Sequence, residues 1–204
     1  MALNKKELRE IESLVRRAQR DDAEAFGEIY DRFVVTIYRY IYYRIPKSEA
    51  EDLTETVFLK AWEKRHLYKK QKGNSFNAWI FRIAHNTVID FYRLNSRTEM
   101  VELSPDLPEM RRSADPSATL ESKFEQKKLI LALRELPEIQ QQVVVLKFVN
   151  GFENDEIAEI LEKSVGAVRV IQFRALNRLK ILLEQFDKQG NKKANFALKS
   201  IEDV

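Results

Sequence analysis

NDEIAEILEKSVGAVRVIQFRALNRLKILL, residues 154–183, divides into two short amphipathic pieces of opposite charge. Residues 153–162 hold five acids and no base, whereas residues 163–183 hold five bases and no acid. The first piece predicts a helix with Asn154 as N-cap and Ile157, Ala158 and Leu161 on one face. Ser164 caps a second helix whose buried stripe is Val168, Ile171, Ala175, Leu179 and Leu182 or Leu183. Only Glu162 and Lys163 separate the two, which leaves room for a tight turn and nothing longer. Such a pair is a helix-turn-helix, whose second helix enters the DNA major groove by its N-terminal half. Ala158 falls at the crossing, where a larger side chain would hold the helices apart.

The outer face of the second helix carries Arg169, Gln172, Phe173, Arg174, Asn177 and Arg178. Arg and Gln read base edges, and any of the bases can neutralise phosphate. The plainer alternative is a helical hairpin with a solvated basic face. The confinement of the acids to the first helix favours DNA. The turn breaks one local rule. Glu162 stands where helix-turn-helix turns place a left-handed glycine, at a cost of about 1–2 kcal/mol.

Working outward, 204 residues allow one large or two small domains, and 44% hydrophobic with 33% charged residues allows buried cores in a soluble chain. The net charge of +3 argues for no partner by itself, but its distribution does. Residues 1–95 carry 18 bases and 14 acids, residues 96–122 carry 3 and 6, and residues 123–204 carry 14 and 12. With no cysteine there is no disulfide, thiolate metal site or thiol nucleophile, which suits a reducing compartment. The charged N-terminus has no apolar core of the signal-peptide type and no run approaches a bilayer span, so a soluble, cytoplasmic protein without membrane insertion is expected. Five glycines and no alternating pattern predict an all-α chain.

Residues 4 to about 20 read as a helix with Leu8, Ile11, Leu14, Val15 and Ala18 inward. Asp21 and Asp22 can cap a second helix running to about Ile45, where Pro46 stops it. Ser48 with Glu51 reads as a capping box for a third helix, which buries Leu53, Val57, Phe58, Ala61 and Trp62 behind an acidic outer face. A basic segment, residues 69–75, then leads into a helix capped by Ser75. That helix places Phe76, Trp79 or Ile80, Ile83, Thr87 and Phe91 inward and Arg82, Asn86, Asp90 and Arg93 together on another face. A basic loop beside such a face could hold splayed bases.

Residues 96–122 hold three of the five prolines and no periodic apolar face, and read as an acidic flexible linker. The chain is therefore two small helical domains, 1–95 and 123–187, with a polar tail at 188–204. In the second domain a helix over 124–136 ends at Pro137, and another closes at Gly151 with Val143, Val144, Leu146 and Phe148 packed. No catalytic set is present: His66 and His85 stand alone, with no phosphate loop and no metal-ligand spacing, so neither enzyme activity nor a cofactor or metal is expected.

Four motifs in order now carry a resemblance. EDLTETVFLKAW, AWIFRIAHNTVIDFYR, LPEIQQQVVVLKFVNGF and EIAEIL followed by VGAVR resemble those of bacterial RNA polymerase sigma factors of the extracytoplasmic-function (ECF) type. The likeness covers about residues 22–95 and 125–183, and GAVRVIQFRAL is closest in appearance to the BldN-like subgroup. The resemblance implies a sigma region 2-like bundle and a sigma region 4-like helix-turn-helix domain. It implies that Asp52, Leu53, Glu55 and Phe58 belong to the helix that docks on the β′ clamp helices of core RNA polymerase, with the β flap as a further contact. It implies that Lys69, Lys70, Lys72, Asn74, Ser75, Trp79, Arg82, Asn86 and Arg93 meet the melted −10 element of promoter DNA, one flipped base entering a pocket made by the loop. Lys163, Arg169, Gln172, Phe173, Arg174, Arg178 and Lys180 would serve the −35 element. An anti-sigma factor is an expected partner. Glu55-Thr56 replaces the family's usual Gln-Glu, and Ala167, Val170 and Ile171 replace the common Thr, Ser and Arg, making the reading helix unusually apolar. A regulator that binds duplex DNA without polymerase is the alternative, and a helical protein-interaction adaptor is a third.

Overall fold

The computed structural model describes residues 5–70, 75–95 and 120–202, and every regular element among them is helical. Four helices form the first unit: α1 (Lys5–Ala18), α2 (Ala23–Tyr42), α3 (Lys47–Lys64) and α4 (Phe76–Asn95), with a 3₁₀ turn at Arg65–Leu67. The second holds α5 (Leu120–Arg134), α6 (Glu138–Val144), a π-helical turn at Val145–Val149, α7 (Asn154–Leu161) and α8 (Val165–Glu202). Residues 71–74 and 96–119, and with them Lys72, Asn74 and most of the expected linker, lie outside the described residues.

Local chemistry explains most boundaries. Asp22 caps α2 by accepting from the Ala25 N–H at 2.9 Å. The expected Ser48–Glu51 box does not form, because the N-cap lies two residues earlier, at Pro46, whose fixed φ suits that position. Glu153, not Asn154, is the N-cap of α7, and the Glu156 carboxylate reaches back to its N–H at 2.8 Å. Gly151, at φ 75°, ends the α6 segment as expected. The π turn between adds a residue per winding and rotates Phe148 off the packed face. It is 56% exposed, while Val143, Val144 and Leu146 are buried. α8 continues to Glu202, through most of the stretch read as a polar tail.

The two units do not stand apart. One apolar cluster runs from Ile29, Ile37 and Phe81 of the first to Val145, Phe152, Ile157 and Ile160 of the second. The Phe81 and Phe152 rings meet edge to face at 4.6 Å. Around that seam lie polar ties. From α4, Arg82 donates to the Glu159 carbonyl in the last turn of α7 (3.0 Å). From α5, Arg134 donates to the Tyr42 and Ile45 carbonyls at the end of α2 (3.3 and 2.7 Å). Asn150 Nδ2 donates to the Thr36 carbonyl at 2.8 Å. Each unit thus supplies a guanidinium to the electronegative end of a helix in the other. Arg44, only 1% exposed, is held at the same seam by Tyr40 and by Glu138 at 3.5 Å.

The turn between α7 and α8 takes the form the sequence demands. Glu162 is left-handed (φ 53°, ψ 45°), and the Lys163 N–H donates to the Ala158 carbonyl at 3.0 Å. Ala158 is buried where α7 meets α8. Glu162 also faces Arg82 at 3.4 Å, but with 73% of its side chain exposed the pair contributes little. Glu162→Gly is therefore expected to raise stability by about 1 kcal/mol and Tm by roughly 2–4 °C in a thermal melt.

His85 of α4 lies beside the seam, with Nδ1 buried and unpaired among protein atoms. Burial, aided by the Arg44 and Lys163 cations, pulls its imidazole from 6.5 down to about 4. The unfolded chain takes up this proton as pH falls through 6.5, while the folded chain resists it until about 4. Stability from the neutral ring is thus whole above the upper value and lost progressively towards the lower. His85→Gln is expected to flatten the decline in urea midpoint measured across that window.

Candidate nucleic-acid interface

Three surfaces emerge from this packing. The first is the outer face of α8. Ser164 Oγ caps the helix by accepting from the Ala167 N–H at 3.1 Å, while Val168, Ala175 and Leu179 turn inward. Arg169, Arg174, Arg178 and Lys180 stand exposed, and so does Lys163 in the turn. Gln172 is half-buried against the body of the domain. Phe173 is 69% exposed and Val170 49%. An apolar pair among four bases is costly to leave in water, and a groove wall with methyl groups and phosphates suits both kinds of group.

The second surface is built on α4 and the segment before it. Ser75 Oγ accepts from the Ala78 N–H at 3.1 Å, as the sequence predicts. Lys69 and Lys70 are exposed on the described part of the segment. Asn86 and Arg93 are exposed further along α4, and Asp90 has Lys60 at 3.6 Å. Trp79 is half-buried, with its ring 5.6 Å from that of Tyr68 and 5.3 Å from that of Phe76. It is part of the wall, not a free platform. Arg82 is already engaged by the Glu159 carbonyl and Glu162, so α7 lies over the part of α4 that the sequence assigned to DNA. Burial raises the Glu159 carboxyl above its ordinary value, partly offset by a backbone hydrogen bond from Ser75.

The third surface is the outer face of α3. Asp52 and Glu55 are exposed on it. Leu53 and Phe58 are not, being only 8% and 4% exposed; Phe58 packs under the Tyr30 ring at 4.6 Å. Both side chains belong to the core, as their spacing predicts, and hold the helix in place. Leu59, 59% exposed, takes the outward apolar position instead. At 100° per residue it shares a face with Asp52, Glu55 and Thr56, a spacing readable in the sequence but passed over there. The residues at the seam, Arg44, Arg134 and Asn150, were missed as well. Nothing in a single chain marks a buried Arg from an exposed one.

Among the described residues no group of three or more His, Cys, Asp or Glu could hold a metal ion, and no helix is long and apolar enough to cross a membrane.

Residues 29–98 match the family model for Sigma-70 region 2, and residues 126–179 that for Sigma-70, region 4. The ECF RNA polymerase sigma factor BldN of Streptomyces coelicolor is 40% identical over 174 residues, 83% of this chain. The chain spans 64% of that relative's length. The ECF RNA polymerase sigma factor ShbA of Streptomyces griseus subsp. griseus is 32% identical over 186 residues, 86% of this chain and 96% of that one. Among solved structures, CnrH in complex with the cytosolic domain of CnrY is similar, with 25% identity, a TM-score of 0.63, and coverage of 84% of this chain and 96% of that one. The sigma factor RpoE from Bartonella quintana, solved with the anti-sigma factor NepR, shares the fold at 23% identity and a TM-score of 0.60, over 77% of this chain and 97% of that one.

Proposed function

The chain belongs to the ECF RNA polymerase sigma factors, and from that membership we propose that it binds core polymerase, recognises two promoter elements and melts the downstream one. The observation that carries this reading is the coexistence of two separate DNA-suited faces with a third, acidic face on α3. A regulator that binds only duplex DNA has no use for the second and third.

The −35 element is read by α8. Arg169 and Arg174 are placed for base edges or phosphate, Arg178, Lys180 and Lys163 for phosphate, and Gln172 for a base edge after a rotamer change. Val170 and Phe173 lie against thymine methyl groups. The −10 strand is held by Lys69, Lys70, Lys72, Asn74 and Ser75 with Asn86, Arg93 and, once released from α7, Arg82. Trp79 supports that site from behind. Unstacking costs a few kcal/mol per base, which contacts to the extruded base must offset. The β′ clamp helices meet Asp52, Glu55 and Leu59, two carboxylates flanking an apolar knob. Residues 1–95 and 123–187 act as the two working domains, with residues 96–122 as the tether between them. Neither role makes or breaks a covalent bond in this chain, and neither calls for a cofactor. The site of action is the cytoplasm, where core polymerase and DNA are. An anti-sigma factor that holds the two domains together is the fitting regulator, since the −10 face is usable only when α7 leaves it.

Run-off transcription with purified core polymerase on a library of randomised promoters tests the reading. Transcripts that depend on the protein and share two spaced elements are expected. Duplex binding without core binding or transcription would instead make this an ordinary helix-turn-helix regulator.

Two substitutions separate the surfaces. Phe173→Ala is expected to weaken use of thymine-bearing −35 variants by about fivefold, roughly 1 kcal/mol, with core affinity unchanged. Leu59→Asp is expected to weaken core binding about tenfold, roughly 1.4 kcal/mol, and to leave duplex −35 affinity alone, both read by fluorescence anisotropy.

A further inference from the structure

We propose that Arg44 is a further phosphate-binding residue for the −10 strand, and that Glu138 holds the place of that phosphate while the two units are closed. The proposal rests on the sigma reading above and adds a residue to its second surface.

Arg44 follows the end of α2 and is only 1% exposed, so its charge has been taken out of water. A buried guanidinium needs acceptors for its N–H groups and an anion close by. Its own unit supplies part of the first and none of the second. One N–H goes to the Tyr40 hydroxyl, and the Tyr40 ring lies against the guanidinium with its centroid 5.0 Å from Cζ. Nε is buried and unpaired among protein atoms. Among the described residues the one carboxylate in reach is Glu138, on α6 of the second unit, with Oε1 3.5 Å from Nη2. The cation thus belongs to one unit and its counterion to the other.

The two sides of that pair are unequal. The Glu138 side chain is 44% exposed, and its Oε1 also accepts from Gln142 Nε2 at 3.0 Å. It keeps water and a donor when the units part. Arg44 keeps a phenol and no anion. Nε and Nη2 lie along one edge of the guanidinium, and a phosphate accepts two parallel N–H bonds from such an edge. Glu138 meets only Nη2, so a phosphate satisfies more of Arg44 than its present partner does.

The bared guanidinium would border the helix assigned to the −10 strand. The Tyr92 hydroxyl of α4 donates to the Arg44 carbonyl, and the Arg44 charge helps hold the His85 imidazole neutral. His85 and Tyr92 are seven residues apart and share a face of α4, while Asn86 and Arg93, each next in sequence, form the adjoining exposed face. A strand laid along Asn86 and Arg93 passes beside Arg44 once the second unit has left.

The test uses holoenzyme assembled from core polymerase and the full chain, with two labelled probes. One is a fork with a duplex −35 element and a single-stranded −10 element; the other is a −35 duplex alone. Arg44→Met is expected to weaken fork binding about fivefold and to make the slope of log affinity against log salt shallower by about 0.7, the share of one phosphate on a single strand. Affinity for the −35 duplex stays within about twofold of wild type. Arg44→Lys restores most of the slope, because it restores the charge. Glu138→Gln removes an anion that only the closed chain uses, and is expected to tighten binding of the free chain to core polymerase about threefold. An Arg44→Met holoenzyme with the wild-type salt slope would overturn the proposal, as would equal losses on both probes, the mark of a damaged fold. So would a Glu138→Gln chain that binds core no more tightly than wild type. A wild-type holoenzyme that tells neither probe from random DNA would overturn the sigma reading, and this inference with it.

Discussion

Two arginines exchanged between helix ends hold this molecule in its observed form. Arg82 of α4 sits on the last turn of α7, and Arg134 of α5 sits on the Tyr42 carbonyl that ends α2 and the Ile45 carbonyl just beyond it. The closing turn of a helix leaves carbonyls unpaired and carries a partial negative charge, so a guanidinium there is satisfied in both respects. Between the two ties lies the apolar seam of Phe81 against Phe152. Remove the seam and each domain exposes an apolar face as well as unpaired carbonyls. Because an arginine proposed for the −10 strand serves as one tie, the proposed choice between closed and DNA-bound forms is built into the same atoms. Arg82 cannot cap α7 and meet a DNA strand at once.

Much of the fold was legible in the residues. The spacing of Ile29, Phe33, Ile37 and Ile41 dictates an inward stripe on α2, and the structure buries all four. The charge division around Glu162 dictates a two-residue turn, and its left-handed backbone is what so short a link between these helices requires. Capping chemistry was less decisive where two candidates stood close together. Pro46 displaced Ser48 by two residues and Glu153 displaced Asn154 by one, because a fixed φ or a reciprocal carboxylate contact can serve as well as a short polar side chain.

The candidate sites were legible in kind and less so in detail. On α8 the exposed bases and Phe173 are where periodicity puts them. On α3 the motif spans both faces of the helix: Leu53 and Phe58 lie on the inner one, as their spacing predicts, and Asp52 and Glu55 on the outer. Only the register of the neighbouring helix says which residues of a motif are structural and which are free to touch a partner. The seam itself was out of reach of pattern reading. Arg44, Asn150 and Arg134 have ordinary identities and no periodic mark, and their partners lie 94, 114 and 89–92 residues away in the chain. Such pairings are tertiary facts, and they are the ones that turn two domains into one body.

The absence of cysteine from the chain makes the closed body open to a direct measurement. Cysteines introduced at Leu94 on α4 and Asp155 on α7, both exposed, can carry a donor and an acceptor dye. Energy transfer should be high in the free protein and fall when core polymerase and promoter DNA are added together, as α7 leaves α4. An active complex that yields transcripts with energy transfer unchanged would contradict this account, because the −10 face would then be working while still covered.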